Sequence, residues 1–133
     1  METFKVLFPT NWDGCELHLM KLNTEKDNPY FRNNDIVVAA MLPENKIKQY
    51  LKDGDLVCLE RENIGDFEFH VFIYNEVIRD NKFYYRFTPT SKFLNQQPFE
   101  VETIREANIA AKVICAIHDF SNNITFGILD TKN

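Results

Sequence analysis

Two β-rich runs, FEFHVFIYNEVI at 67–78 and KFYYRFTP at 82–89, lie either side of the tripeptide RDN and constrain the fold of this chain more than any other stretch. Aromatic and β-branched side chains favour extended backbone, and Asp80-Asn81 tolerates the left-handed conformation of a tight turn, so the pair reads as a long β-hairpin. A hairpin of this length needs more sheet beside it to bury its apolar face.

The rest of the chain supplies that sheet. CELHLMKL (15–22) alternates apolar Cys15, Leu17 and Leu19 with polar Glu16 and His18, the pattern of a half-buried strand. DIVVAAM (35–41) is apolar throughout and reads as a strand buried on both faces. FKVLF (4–8) is a plausible first strand, and NTEKDNPYFRNND (23–35) the longest loop. After Pro43, Ile47, Tyr50 and Leu51 fall on one stripe of a short amphipathic helix, which runs into Asp53-Gly54-Asp55. DLVCLERE then resumes strand alternation up to a break at Asn63-Ile64-Gly65-Asp66. Residues 91–120 are ambiguous. Strict alternation of Ile109, Ala111, Val113, Cys115 and Ile117, rich in β-branched residues, favours a helical turn at 102–107 and a strand at 109–118 over one long helix. The tail SNNITFGILDTKN adds one edge strand or frays.

A chain of 133 residues is one domain. Its net charge is −5 and its 15 Lys and Arg are scattered, so it lacks the basic face that direct nucleic-acid binding requires. The opening METFKVLFPTNWDG lacks the basic and apolar regions of a signal peptide, and no apolar run is long enough to span a bilayer. Three cysteines without a CxxC fit a reducing compartment, where Cys15, Cys58 and Cys115 serve as small apolar side chains. The expectation is a cytoplasmic protein without membrane contact.

Chemistry-bearing residues are sparse. His18, His70 and His118 stand singly in separate strand-like segments, without zinc-ligand spacing. Asp53 and Asp55 resemble half a calcium loop, but the sequence turns apolar at once and lacks the later oxygen ligands. Glycine suits the turn, and the flanking carboxylates suit its backbone amides. Ser91 and Ser121 follow no nucleophile elbow, Cys58 and Cys115 lie in apolar strands that disfavour a thiolate, and the glycines form no phosphate loop. No metal and no cofactor is expected.

In their order these segments resemble the C-terminal domain of LexA-like, S24-type repressors and self-cleaving peptidases. DIVVAAM, PENKIKQYLKDGDLVCLER, HVFIYNEVIRDNKFYYRF, TPTSKFLNQQPFEVE and ANIAAKVICAIHDF follow that family's succession of strand, helical turn, "dGDlv" corner, hairpin, proline-bearing loop and last strand over about residues 35–120. Residues 1–34 would add N-terminal strands and a loop, and 121–133 a tail. The resemblance implies a mainly β fold of LexA/S24-like twisted sheets, a partly closed barrel, with one or two short helices. It makes Asp53, Gly54 and Asp55 a structural corner. It places the family's catalytic serine slot on Ala40 and its lysine slot on Asn75, beside Tyr74, so the self-cleaving dyad is missing. The family's Ala-Gly or Cys-Gly cleavage dipeptide is missing too.

By that resemblance the chain is a non-catalytic module for dimerisation and protein interaction, a phage or mobile-element regulator acting on a repressor or another nucleic-acid-handling protein, in the host cytoplasm if phage-encoded. The alternatives are a peptidase-like hydrolase with displaced catalytic residues, Ser91 with Lys92 or Cys58, and a self-assembling structural or virion component.

Overall fold

The structure, a computed structural model, describes residues 15–63, 66–94, 96–120 and 123–128. The strand expected at 4–8, the middle of the break at 64–65 and Ser121 lie outside these residues. The described chain is mainly β: β1 (Leu17–Lys21), β2 (Ile36–Met41), β3 (Leu56–Asn63), β4 (Asp66–Arg79), β5 (Lys82–Pro89), β6 (Phe99–Val101), β7 (Ile109–Phe120) and β8 (Asn123–Ile128). One short helix, α1 (Ile47–Tyr50), follows a 3₁₀ turn at Glu44–Lys46, and further such turns span Lys92–Leu94 and Ile104–Ala107.

The strands form one antiparallel sheet, ordered β1-β2-β7-β3-β4-β5-β6 and curled into a half-barrel. β7 is its keystone. One of its edges pairs with β2 from Ala111 to Ile117, while the other meets β3 at Ile109–Lys112 and then β8 from Cys115 to Phe120. The β4–β5 hairpin closes in register, Arg79 opposite Lys82, with Asp80 and Asn81 at φ 52° and 63°. Two left-handed residues in succession make the mirror-image turn whose twist matches that of paired strands.

β7 carries two bulges. Val38 pairs with Cys115 but Ala39 with Val113, which leaves Ile114 extra; Cys58 pairs with Ala111 but Leu59 with Ile109, which leaves Ala110 extra. Each extra residue bends the strand and advances its alternation by one. The evenly spaced apolar residues of 109–117 are therefore divided between the two faces of the sheet. Ile109, Cys115 and Ile117 join the concave core, and Ala111 and Val113 the opposite face.

Both faces are covered, which is why β2 is apolar without interruption: Val37, Val38, Ala39 and Ala40 are all buried. The concave side holds Val38, Ala40, Leu59, Phe72, Tyr74 and Phe87, roofed by Leu42, Ile47 and Leu51 at α1. On the other side Phe31, from the loop between β1 and β2, lies over Val37, Ala39, Cys58 and Val71. An aromatic row runs along the concave face of the hairpin, with ring centroids 5.3 Å apart for Phe99 and Phe87, 5.6 Å for Phe87 and Tyr74, 6.1 Å for Tyr74 and Tyr85, and 5.5 Å for Tyr85 and Phe83.

Candidate functional site

Asp53-Gly54-Asp55 docks on the middle of β4. Gly54 takes φ +93°, and its N–H donates to the Tyr74 carbonyl at 2.7 Å, while the Tyr74 N–H donates to the Asp55 carbonyl at 2.8 Å. The Asp53 carboxylate accepts from the Glu76 N–H at 2.8 Å and from the Asn75 amide at 3.2 Å. Asp55 Oδ2 accepts from the Lys52 N–H at 2.7 Å and lies 3.1 Å from Lys112 Nζ. Both carboxylates thus hold the corner that feeds α1 into β3.

Lys112 is a residue of this site that motif and spacing do not reveal, although a signal for it is visible in the sequence. A lone cation inside IAAKVICAI, in a strand apolar on both sides, must find a partner in the core. Its side chain is 1% exposed, and Nζ also donates to the Tyr50 carbonyl at 3.2 Å, at the end of α1. It lies directly across the ladder from Ala40 on β2 and from Val57 on β3.

Ala40 and Asn75 are not brought together. β7 and β3 intervene between their strands. Ala40 packs in the concave core and is 0% exposed. Asn75 follows Tyr74, whose ring is in that core, so strand alternation turns Asn75 to the opposite face, where it meets Asp53. The polar group nearest the ladder position of Ala40 is Lys112, not Asn75. Burial, with the Glu76 carboxylate accepting from the hydroxyl at 2.9 Å, pushes Tyr74 well above the usual phenol range.

Ser91 belongs to a tie between loops. Its hydroxyl donates to Glu25 Oε2 at 2.6 Å and accepts from the Phe93 N–H at 3.1 Å; the same Glu25 oxygen accepts from Thr24 at 3.0 Å and from the Lys92 N–H at 3.2 Å. The Ser91 hydrogen bond, with those from backbone and Thr24, brings the Glu25 carboxyl down to about 2. A carboxylate so stabilised is a poor general base. Lys92 Nζ faces Asp27 at 3.7 Å rather than Ser91. Burial raises Cys58 to about 12 and Cys115 to about 11, leaving both as thiols at neutral pH.

The three histidines stay apart. His18 meets Glu16 at 3.2 Å, His70 meets Gln96 at 3.0 Å, and His118 Nδ1 lies 2.7 Å from the buried carboxylate of Asp35. Among the described residues, no three His, Cys, Asp or Glu side chains cluster as metal ligands, and no helix is long and apolar enough to cross a membrane.

Among the described residues, a cleft and an exposed apolar pair stand out on the surface. A cleft of about 760 Å³ opens between α1 and the turn at Ile104–Ala107, floored by the ends of β2 and β7. At the far end of the β4–β5 hairpin, Ile78 and Phe83 pair across the strands while 69% and 45% exposed. Neither was foreseen, since a cleft depends on how remote segments meet and an exposed apolar pair looks in sequence like any other strand. No protein-family model, curated protein or solved structure matches the chain.

Proposed function

We propose that this chain is a non-catalytic interaction module, resembling the LexA/S24-like domain in its order of segments, that pairs with a second copy of itself and acts on another protein. The observation that carries this reading is the hairpin end. Ile78 and Phe83 share the concave face with Tyr74, Tyr85 and Phe87, so the apolar surface of the core runs past its own cover into solvent. Isolated exposed apolar side chains are ordinary, but a pair continuous with an aromatic row marks a surface that gains by being covered.

The absence of a hydroxyl at Ala40, its burial and its separation from Asn75 support a non-catalytic role. The net charge of −5 favours a protein partner over nucleic acid, and a repressor or a nucleic-acid-handling protein has the complementary basic surface. A regulator in a phage or mobile-element circuit is the setting that fits such a partner. Light scattering over a concentration series tests the pairing: the expected result is a dimer that becomes a monomer in the Ile78→Lys/Phe83→Lys variant. A wild-type chain that stays monomeric at every concentration would overturn it.

A further inference from the structure

We infer that the cleft between α1 and the Ile104–Ala107 turn is a binding site for an apolar chain that ends in a carboxylate. It is separate from the hairpin surface and does not depend on it. A volume of about 760 Å³ falls in the range of pockets that enclose small organic ligands. Met41, Leu42, Ile47, Ile104 and Ile109 give it an apolar floor and walls.

The floor is also where the sheet departs from regularity. Ala110, which lines the cleft, is the bulged residue of β7 that has no partner on β3. Bulges gather beside binding sites because they re-aim the backbone there. The bulge shifts the register by one residue without parting the strands, since Leu59 still pairs with Ile109 and the Glu60 N–H donates to the Asn108 carbonyl at 3.2 Å, and the extra residue it leaves, Ala110, forms part of the cleft lining.

The charges on the rim select the ligand's sign. Glu44 and Arg105, on opposite walls, meet each other at 3.5 Å, both highly exposed. That pair spans the mouth, and an ion pair so exposed to water opens at little cost. Lys46 and Lys48 project from the α1 wall; Lys46 has no carboxylate partner among the described residues, and Lys48 Nζ stands 5.7 Å from the centre of the Tyr85 ring. Glu60 lies on the β3 side of the cleft. A bound anion therefore sits among Lys46, Lys48 and Arg105 and away from Glu60, with its apolar chain along Leu42, Ile104 and Ile109. A cation at the α1 wall is repelled, and a neutral chain gains the apolar contacts alone.

A fatty carboxylate and the C-terminal end of an apolar peptide share this chemistry. Titration of the full chain, followed by backbone NMR, with decanoate, decanol and decyltrimethylammonium below their micelle concentrations separates charge from apolar contact. Decanoate should bind roughly tenfold more tightly than decanol, the gain expected of one partly desolvated charge pair, and the ammonium compound more weakly than both. The shifts should centre on Leu42, Ile104 and Ile109. Lys46→Gln/Lys48→Gln/Arg105→Gln should reduce decanoate to the affinity of decanol, and Glu60→Gln should tighten it.

A second arm compares an apolar hexapeptide bearing a free C-terminus with its amidated form. If the free form displaces decanoate, the natural source is a chain end; if it does not while decanoate binds, the source is a small amphiphile. Equal affinity for the three decyl compounds, shifts centred elsewhere, or no binding of any probe would overturn the assignment. The same titration of Ile78→Lys/Phe83→Lys keeps the result distinct from the hairpin reading, because loss of pairing there leaves this cleft intact.

Discussion

At the scale of single residues, the buried ion pair and the glycine of the corner make the sharpest claims. Lys112 and Asp55 hold each other beneath α1, and removing one charge strands the other. Lys112→Met should therefore lower unfolding free energy by about 3 kcal/mol in urea titrations, and a double-mutant cycle with Asp55→Asn should show clear non-additivity. Additive losses would mean that the two charges do not interact. Gly54 separates backbone from packing, because a Cβ there meets nothing within 4 Å while φ is +93°. Gly54→Ala should cost about 1–2 kcal/mol from conformation alone. The buried thiols set an alkaline limit. Cys58 and Cys115 ionise in the unfolded chain near 9.0 and in the folded chain near 12 and 11, so folded protein binds more protons above pH 9 and loses stability as pH climbs through that window. Urea midpoints measured from pH 8 to 11 should fall, and Cys58→Ala should flatten the decline. The glycine and both thiols were legible in sequence from type and neighbours; the lysine's partner was not, because Asp55 lies far from Lys112 along the chain.

At the scale of elements, alternation and turn chemistry were enough to locate strands at 15–22, 35–41 and 82–89, the short helix at Ile47–Tyr50 and the hairpin at Asp80-Asn81. Local preference and burial agree at 35–41 and in the helix, whereas in β1 Leu19, on the face the alternation marks as apolar, is 59% exposed. β7 exposes the limit of that reading, since a bulge is set by the partner strands and leaves no mark on its own alternation. Ile109 and Ala111 look equivalent in sequence yet face opposite sides of the sheet. The loop before β2 also needed the fold. Glu25 ties it to Ser91 and the Lys92 amide across a long sequence gap, and nothing local announces that contact. Because the folded Glu25 carboxyl lies near 2 against an ordinary 4.5, the tie holds above the ordinary value and loosens as pH falls from 4.5 toward 2. Protection of the Lys92 and Phe93 amides, taken relative to intrinsic exchange at each pH, should fall over that acid window, and Glu25→Gln should reproduce the lower protection at neutral pH. Protection that stays constant as pH falls would show that Glu25 does not secure the segment.

At the scale of the whole molecule, the order β1-β2-β7-β3-β4-β5-β6 makes β7 the sole sheet connection between β1-β2 and β3 to β6 among the described strands. β2 and β7 are distant in sequence, so neither half can complete its pairing until β7 has been placed, a topology that folds slowly and as a unit. Ile114, the extra residue of the first bulge, sits buried in the concave core where the two halves meet. Ile114→Ala should cost about 2–4 kcal/mol, as large-to-small changes in a packed core do. The informative quantity is how that loss is distributed. If β7 couples the halves, the methyl signals of Val38 on β2 and the ring signals of Phe87 on β5 should lose native dispersion at one shared urea midpoint, and the variant should lower both equally. If the β3 to β6 meander stands by itself, Phe87 should hold its midpoint while Val38 falls. The shared midpoint is the expected outcome, because Lys112 on β7 is anchored through Asp55 to the same corner that holds Tyr74 of β4, so loss of the strand removes a buried contact from each half at once.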